Sequence, residues 1–135
     1  MLNSILKGIS VATLRKPLMS SIMKNYSKIE LSNSEDFDKY VKESDQGPII
    51  MDFYAKWCGS CKLLMPILEK KLSDIEKVKL IAINVDKHGE LGSEREVNAI
   101  PHVFLYSKQK IVKSFVGKPS NDKIDEFIAK VKEIN

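Results

Sequence analysis

The body of the chain alternates short apolar runs with segments in which apolar residues recur at helical spacing. Residues 49–55 and 78–85 are nearly continuous apolar runs, which predict strands that are covered on both faces. Shorter strands are predicted at 28–31 and 103–106, and the alternating segment 111–116 predicts a half-buried strand.

Helical spacing of apolar residues predicts four helices among these strands. Ser32 and Glu35 have the spacing of a capping box, so the first helix is expected to begin at Ser32. Pro66 lies inside the second predicted helix and should kink it. The helices are expected after Ser32, across 63–75, around 90–96, and from Ser120 or Asn121 onward.

The resulting element order is β-α-β-α-β-α-β-β-α. The first three strands alternate with helices, which implies parallel pairing. The last two strands are joined by a tight turn at 107–109 and should form an antiparallel hairpin. The sequence therefore predicts an α/β domain with a central mixed β-sheet and helices on both faces.

The composition indicates a single domain preceded by a basic N-terminal segment. The chain has 135 residues, of which 43% are hydrophobic and 30% are charged, so a packed core is expected. No apolar run reaches the ~18–20 residues that span a bilayer. Residues 1–28 hold five basic and no acidic residues, which leaves 17 of the 22 basic residues against all 18 acidic ones. The domain itself therefore lacks the basic surplus of a nucleic-acid-binding protein.

The basic N-terminal segment has the composition of a mitochondrial transit peptide, with five serines and no acidic residue. Apolar residues recur at helical spacing near its start, at Leu2, Ile5, Leu6 and Ile9. One alternative is a secretory signal peptide, although Lys7 and the Arg15–Lys16 pair interrupt its apolar core. The other alternative is an N-terminal extension that is never removed.

The composition changes at about Lys28, where acidic residues begin. We therefore expect residues 1–27 to be a transit peptide and residues 28–135 to form the domain. Cleavage is expected between Ser20 and Lys28. The expected location is the mitochondrial matrix, with the cytoplasm or a secretory compartment as alternatives.

Two cysteines, Cys58 and Cys61, lie between a predicted buried strand and a helix. The loop they would close is too small to stabilise a fold. A cysteine at a helix N-terminus meets unpaired N–H groups and the positive end of the helix dipole, which favour the nucleophilic thiolate. The second cysteine follows one turn later, where it can attack a mixed disulfide formed at the first.

Two alternatives exist for this cysteine pair. It could be half of a zinc site, but tetrahedral zinc needs four ligands and the only other candidates are His88 and His102. These histidines form no second paired motif, so no metal is expected, and His88 is expected to be solvated. The other alternative is two inert buried cysteines, against which the position between strand and helix argues.

Asp52 is the one carboxylate within the apolar run 49–55. Burial disfavours the charged form of a carboxyl, so the pKa of Asp52 should be raised. A carboxyl that titrates near neutral pH can serve as a general base. The alternative is an edge position at which water reaches Asp52.

The segment 51–62, MDFYAKWCGSCK, resembles the active-site segment of the thioredoxin family, which usually ends in WCGPCK. The resemblance covers about 28–135 and implies the thioredoxin fold. Further positions match features of that family. They are Asp52 at the buried carboxylate, Pro66 at the helix kink, Ile100–Pro101 at the cis-proline loop and Gly117 at the end of the last strand.

The resemblance implies a protein-disulfide reductase that works by dithiol–disulfide exchange. Cys58 would be the attacking nucleophile and Cys61 the resolving thiol, and the two would form the redox-active disulfide. Asp52 would take or relay the proton of Cys61. Gly59 and Ser60 would tune the redox properties of the pair. The substrate surface would include Trp57, Gly59, Ile100, cis-Pro101 and Gly117.

The resemblance also implies that the protein needs no bound cofactor. Its electrons would come from NADPH through thioredoxin reductase, and its clients would be disulfide-containing proteins such as peroxiredoxins. A monomer without nucleic-acid binding or a membrane span is expected.

Four positions depart from the family pattern, and the mildest departure is Tyr54, where many members have tryptophan. Ser60 replaces the usual proline, Ala82 stands where many bacterial members have a lysine near the buried carboxylate, and His102 stands where threonine is common. His102 either tunes the active-site surface or packs against its neighbours. Because a residue other than proline at position 60 accompanies more oxidising members, a secretory disulfide isomerase or oxidase is an alternative. A non-catalytic binding subunit is another.

Overall fold

The computed structural model describes residues 26–135, which form five strands and four helices in the predicted order. Residues 1–25 of the predicted transit peptide lie outside the described residues. The elements are β1 Tyr26–Glu30, α1 Asp36–Glu43, β2 Ile49–Tyr54, α2 Gly59–Leu72, β3 Val78–Asn84, α3 Gly89–Glu94, β4 His102–Ser107, β5 Lys110–Val116 and α4 Asn121–Ile134.

The strands form one mixed sheet in the order β1-β3-β2-β4-β5. Strand β3 pairs in parallel with both β1 and β2, as the alternation of strands and helices predicts. Strands β4 and β5 pair in antiparallel fashion, and β4 is also antiparallel to β2. Strand β2 is therefore central, and every residue in it except Tyr54 is buried.

Apolar side chains cover the sheet on both faces, which confirms the predicted architecture. Helices α2 and α4 supply the core of one face, and α1 and α3 contribute to the core of the other. The first core includes Ile50, Leu80, Val103, Leu64, Leu68, Phe127 and Val131. The second includes Met51, Phe53, Ile81, Phe37, Leu91, Phe104 and Tyr106. Among the helices of residues 26–135, none is long and apolar enough to cross a membrane.

The predicted capping box at Ser32 is wrong. Helix α1 begins at Asp36, its N-cap is Glu35, and no side chain caps it. The chain first makes tight turns, in which the Asp36 N–H donates to Asn33 and the Phe37 N–H donates to Ser34. These backbone hydrogen bonds use the donors that a capping serine would have satisfied.

His88 is buried, so the prediction that it is solvated is wrong. Its Nε2 lies 3.0 Å from the Leu31 carbonyl oxygen, and its Nδ1 lies 2.6 Å from the Ser34 hydroxyl. A carbonyl oxygen only accepts hydrogen bonds, so Nε2 carries a proton and donates it. In the neutral ring Nδ1 then accepts from Ser34. His88 thus joins the start of α3 to the segment between β1 and α1.

Candidate active site

The cysteine pair lies where β2 leads into α2. Cys58 is the N-cap of α2, with extended backbone angles, and Cys61 follows within the first turn. The Cys61 N–H donates to Cys58 Sγ at 3.2 Å, so the sulfur itself satisfies a free N–H group at the helix N-terminus. The two cysteines form a disulfide with their Cα atoms 5.3 Å apart.

Two other groups approach Cys58 Sγ. The Ser60 Oγ atom lies 3.5 Å away, and the Ile100 carbonyl oxygen lies 3.9 Å away. The peptide bond between Ile100 and Pro101 is cis. The loop that precedes β4 therefore lies directly against the first cysteine.

The two glycines singled out in the sequence differ in their surroundings. The Gly117 N–H donates to the Pro101 carbonyl at 2.7 Å, and its φ of +76° is a left-handed conformation that favours glycine. A Cβ atom built on Gly59 would meet no described atom within 4 Å. No close contact among the described residues therefore requires a glycine at position 59.

Trp57 is 69% exposed next to Cys58, and its indole N–H donates to an Asp86 carboxylate oxygen at 3.0 Å. Asp86 was not among the residues predicted from the sequence. The strand pairing could have revealed it. The carboxyl ends of the parallel strands β2 and β3 lie at one edge of the sheet, so the loops that follow these strands come together. The Asp86 N–H in turn donates to the Asn84 side chain at 2.9 Å.

Asp52 is 1% exposed in the centre of β2, which overturns the alternative of an edge position open to water. No group within residues 26–135 hydrogen-bonds to either of its carboxylate oxygens. Burial raises the pKa of Asp52 to about 7, while Lys28 acts to lower it and Glu30 to raise it.

A cavity of about 450 Å³ lies beside Cys61. Ala82 lines it and pairs in register with Asp52 on one side and Glu30 on the other. Neither Lys28 nor Glu30 was predicted as a site residue, because their approach to the site depends on the register of β1 against β3. The cavity is lined by Lys28, Glu30, Tyr54, Ala55, Lys56, Cys61, Lys62, Met65 and Ala82.

His102 packs within the second core. Its ring stacks on Phe104 with the ring centroids 4.1 Å apart. Burial lowers the pKa of His102, and no group among the described residues hydrogen-bonds to its Nδ1 atom. This contact supports the packing interpretation. Within residues 26–135 no cluster of three or more His, Cys, Asp or Glu residues could hold a metal ion.

Known proteins are similar to this chain in sequence and in fold. Residues 28–130 match the family described as Thioredoxin. A Caenorhabditis elegans protein named Probable thioredoxin-2 is 33% identical over 123 residues, which cover 90% of this chain and 84% of that protein. The Mus musculus protein named Thioredoxin, mitochondrial is 35% identical over 102 residues, which cover 75% of this chain and 61% of that protein.

Solved structures agree with the sequence matches. One of them addresses the thiol-resolving mechanism in yeast mitochondrial 1-Cys peroxiredoxin via glutathione and thioredoxin systems. Its matching chain has a TM-score of 0.68 and 26% identity, over 77% of this chain and 95% of that chain.

Proposed function

Because the chain belongs to the thioredoxin family, whose disulfide-reductase activity resides in a CXXC pair, we propose that Cys58 is the attacking nucleophile and Cys61 the resolving thiol. The observation that carries this assignment is the position of Cys58 Sγ at the N-terminus of α2, where it accepts the Cys61 N–H at 3.2 Å. A helix N-terminus and a backbone donor both stabilise a thiolate.

The reaction then proceeds by two thiol–disulfide exchanges. The Cys58 thiolate attacks a client disulfide, forms a mixed disulfide and releases the first client thiolate. Cys61 loses its proton, and its thiolate attacks the Cys58 sulfur. The second client thiolate leaves as the Cys58–Cys61 disulfide forms. The client gains two electrons, and the cysteine pair loses them.

Asp52 is proposed as the base that accepts the Cys61 proton. Its carboxylate has no hydrogen-bond partner among the described residues, and its pKa of about 7 suits proton transfer near neutral pH. Its in-register neighbour Ala82 lines the same cavity as Cys61. The proton is proposed to pass from the thiol to the carboxylate through a water molecule that enters between Ala82 and Asp52.

An extended client segment is proposed to lie on the surface around Cys58. Ile100 and Pro101 present backbone next to the sulfur, which suits strand-like pairing with a client chain. Trp57 offers an exposed ring beside the cysteine, and Gly59 and Gly117 keep the surface open. Gly59 and Ser60 lie in the first turn of α2 between the two cysteines, where they are proposed to tune the redox properties of the pair.

The cellular setting follows as part of the proposal. The mitochondrial relatives and the basic composition of residues 1–28 support a mitochondrial protein with a removable transit peptide, and we place it in the matrix. The yeast peroxiredoxin structure supports peroxiredoxins as clients. The protein would act as a monomer without a bound cofactor and receive electrons from NADPH through thioredoxin reductase.

The assignment of the two cysteines is tested by trapping. Cys61→Ser protein should accumulate stable mixed disulfides through Cys58, because no thiol remains to resolve them. The matched Cys58→Ser variant should trap nothing and should fail to reduce insulin in the presence of a reductase. Trapping of clients by the Cys58→Ser variant but not by Cys61→Ser protein, or faster alkylation of Cys61 than of Cys58 by iodoacetamide, would reverse the assignment.

A further inference from the structure

Glu30, Ala82 and Asp52 form one row across the strands β1, β3 and β2. Glu30 pairs with Ala82, and Ala82 pairs with Asp52. In-register neighbours on parallel strands point to the same face, and each strand spacing is ~4.8 Å, so the two acidic Cα atoms are about 10 Å apart. Ala82, whose side chain is a single methyl group, is the in-register residue between them, and Glu30 and Ala82 both line the cavity of about 450 Å³.

A hydrogen bond from Tyr54 on β2, the strand that carries Asp52, orients the Glu30 carboxylate. The carboxylate accepts the Tyr54 hydroxyl at 2.6 Å, and Tyr54 lies two residues after Asp52 on the same face of β2. The pKa of Tyr54 is raised to about 12, mainly by burial and by Glu30, so this hydroxyl keeps its proton and donates. Within residues 26–135 no ion pair neutralises Glu30, whereas the Lys28 ammonium lies 2.7 Å from Glu69.

We propose that Glu30 is a positioning residue for the reduction step: its negative charge, held by Tyr54 beside the Ala82 cavity, makes Asp52 harder to ionise and so raises the pH above which Asp52 can accept the proton of Cys61. The proposal rests on the base role of Asp52 described above. It adds to that role a second carboxylate, on a different strand, that controls when the base is available.

The electrostatics of the site support this role. Burial is the largest cause of the raised pKa of Asp52; Lys28 has the next largest effect and lowers this pKa, and Glu30 raises it. The strands β3 and β4 contribute only Ala82 and Val103 as in-register neighbours of Asp52, and neither carries a charge. The titratable groups that border Asp52 or the cavity are Lys28, Glu30, Tyr54, Lys56, Cys61 and Lys62.

The test is the titration of Asp52 itself, followed by carboxyl ¹³C NMR in the reduced full-length chain. Glu30→Gln removes the charge but leaves a carbonyl oxygen that can accept the Tyr54 hydroxyl. The pH midpoint of the Asp52 titration should fall by about half a pH unit or more, because the negative charge of Glu30 no longer opposes the ionisation of Asp52. An unchanged or higher midpoint would overturn the proposal.

Two further variants separate local charge from general effects. Lys28→Gln should move the Asp52 midpoint in the opposite direction, upward. Glu133→Gln removes an exposed carboxylate on α4, outside the cavity, and should leave the midpoint unchanged. An equal fall in Glu133→Gln would attribute the effect to net charge and contradict a specific role for Glu30.

A kinetic measurement decides whether the effect reaches Cys61. A mixed disulfide between Cys58 and 2-nitro-5-thiobenzoate releases the coloured thiolate when Cys61 attacks, and the rate is followed after a jump in pH. The pH dependence should move down in Glu30→Gln together with the NMR midpoint; a moved midpoint with an unmoved rate profile would overturn the coupling. Asp52→Asn tests the base role separately, because an unaltered profile there would reject Asp52 as the base while the NMR result for Glu30 stands.

Discussion

Among the residues that depart from the family pattern, Ser60 lies closest to the reactive cysteine pair, with its hydroxyl oxygen 3.5 Å from Cys58 Sγ. When the disulfide is reduced, this hydroxyl can donate to the thiolate, which a proline cannot do. One charge-assisted hydrogen bond contributes on the order of 1–2 kcal/mol, which corresponds to about 20–45 mV for two electrons. Stabilising the reduced form raises the reduction potential.

We therefore predict that Ser60→Pro lowers the reduction potential by about 20–45 mV and improves disulfide reduction. The measurement is equilibration with glutathione buffers of known potential. Ser60→Ala is the matched control, because it removes the hydroxyl but retains the backbone N–H. If both variants keep the wild-type potential within error, Ser60 does not tune the pair.

Asp52 makes stability depend on pH in a direction that its raised pKa determines. In the unfolded chain an aspartate loses its proton near pH ~4, whereas Asp52 in the folded protein keeps it up to a pKa of about 7. Between these values the folded state binds more protons than the unfolded state, so the free energy of unfolding falls as pH rises. Asp52 therefore opposes folding at pH 8 far more than at pH 4.5.

Asp52→Asn should consequently stabilise the oxidised protein, with a gain at pH 8 that exceeds the gain at pH 4.5 by about 3 kcal/mol. Urea unfolding of both proteins at the two pH values measures this difference. A gain that is equal at both pH values would mean that Asp52 titrates normally in the folded state.

Much of the site was predictable at this scale because its signals are local in sequence. The cysteine pair lies in a strand–helix junction, and Asp52 interrupts an apolar run, so residue order alone identifies both. The approach of Asp86 to Trp57 and of Glu30 toward Asp52 depends on which strands are neighbours and in what register. Neither relation is encoded within a short window of the chain.

The strands and helices themselves were predictable to within a few residues, because hydrophobic periodicity reports directly on burial. One error, the solvated position predicted for His88, lies where a contact distant in sequence decides the local structure. His88 is polar and follows a strand, which suggests a solvated position, yet it bridges to Leu31 and Ser34 at sequence separations of 57 and 54. Such a bridge leaves no periodic signal in the sequence.

This bridge should matter for the stability of the segment between β1 and α1. His88→Ala removes two hydrogen bonds and leaves the buried Leu31 carbonyl without its side-chain partner, so a loss of about 2–4 kcal/mol is expected. Ser34→Ala removes one hydrogen bond and should cost about 1 kcal/mol. Urea unfolding measures both, and hydrogen exchange should show the larger loss of protection at residues 31–36 in His88→Ala. Losses below 0.5 kcal/mol in both variants would contradict a structural role for the bridge.

For the molecule as a whole, the fold limits where a transit peptide can end. Strand β1 begins at Tyr26, two residues before the composition boundary at Lys28. Tyr26 is 5% exposed, belongs to the core between the sheet and α2, and pairs in register with Val78. Cleavage after Tyr26 would remove a core side chain. We therefore predict that the mature protein begins between Ser20 and Tyr26, a narrower range than the 20–28 expected from composition.

N-terminal sequencing of the protein isolated from mitochondria tests this prediction, and a start at Ser27 or Lys28, or an intact Met1, would contradict it. Stability provides the physical cross-check. A chain that begins at Ser21 should unfold at the same urea concentration as one that begins at Asn25, because both retain all of β1. A chain that begins at Lys28 loses the buried Tyr26 ring, which costs about 2–4 kcal/mol. Equal stability of all three chains would show that Tyr26 contributes little to the core, and the fold would then place no limit on cleavage before Lys28.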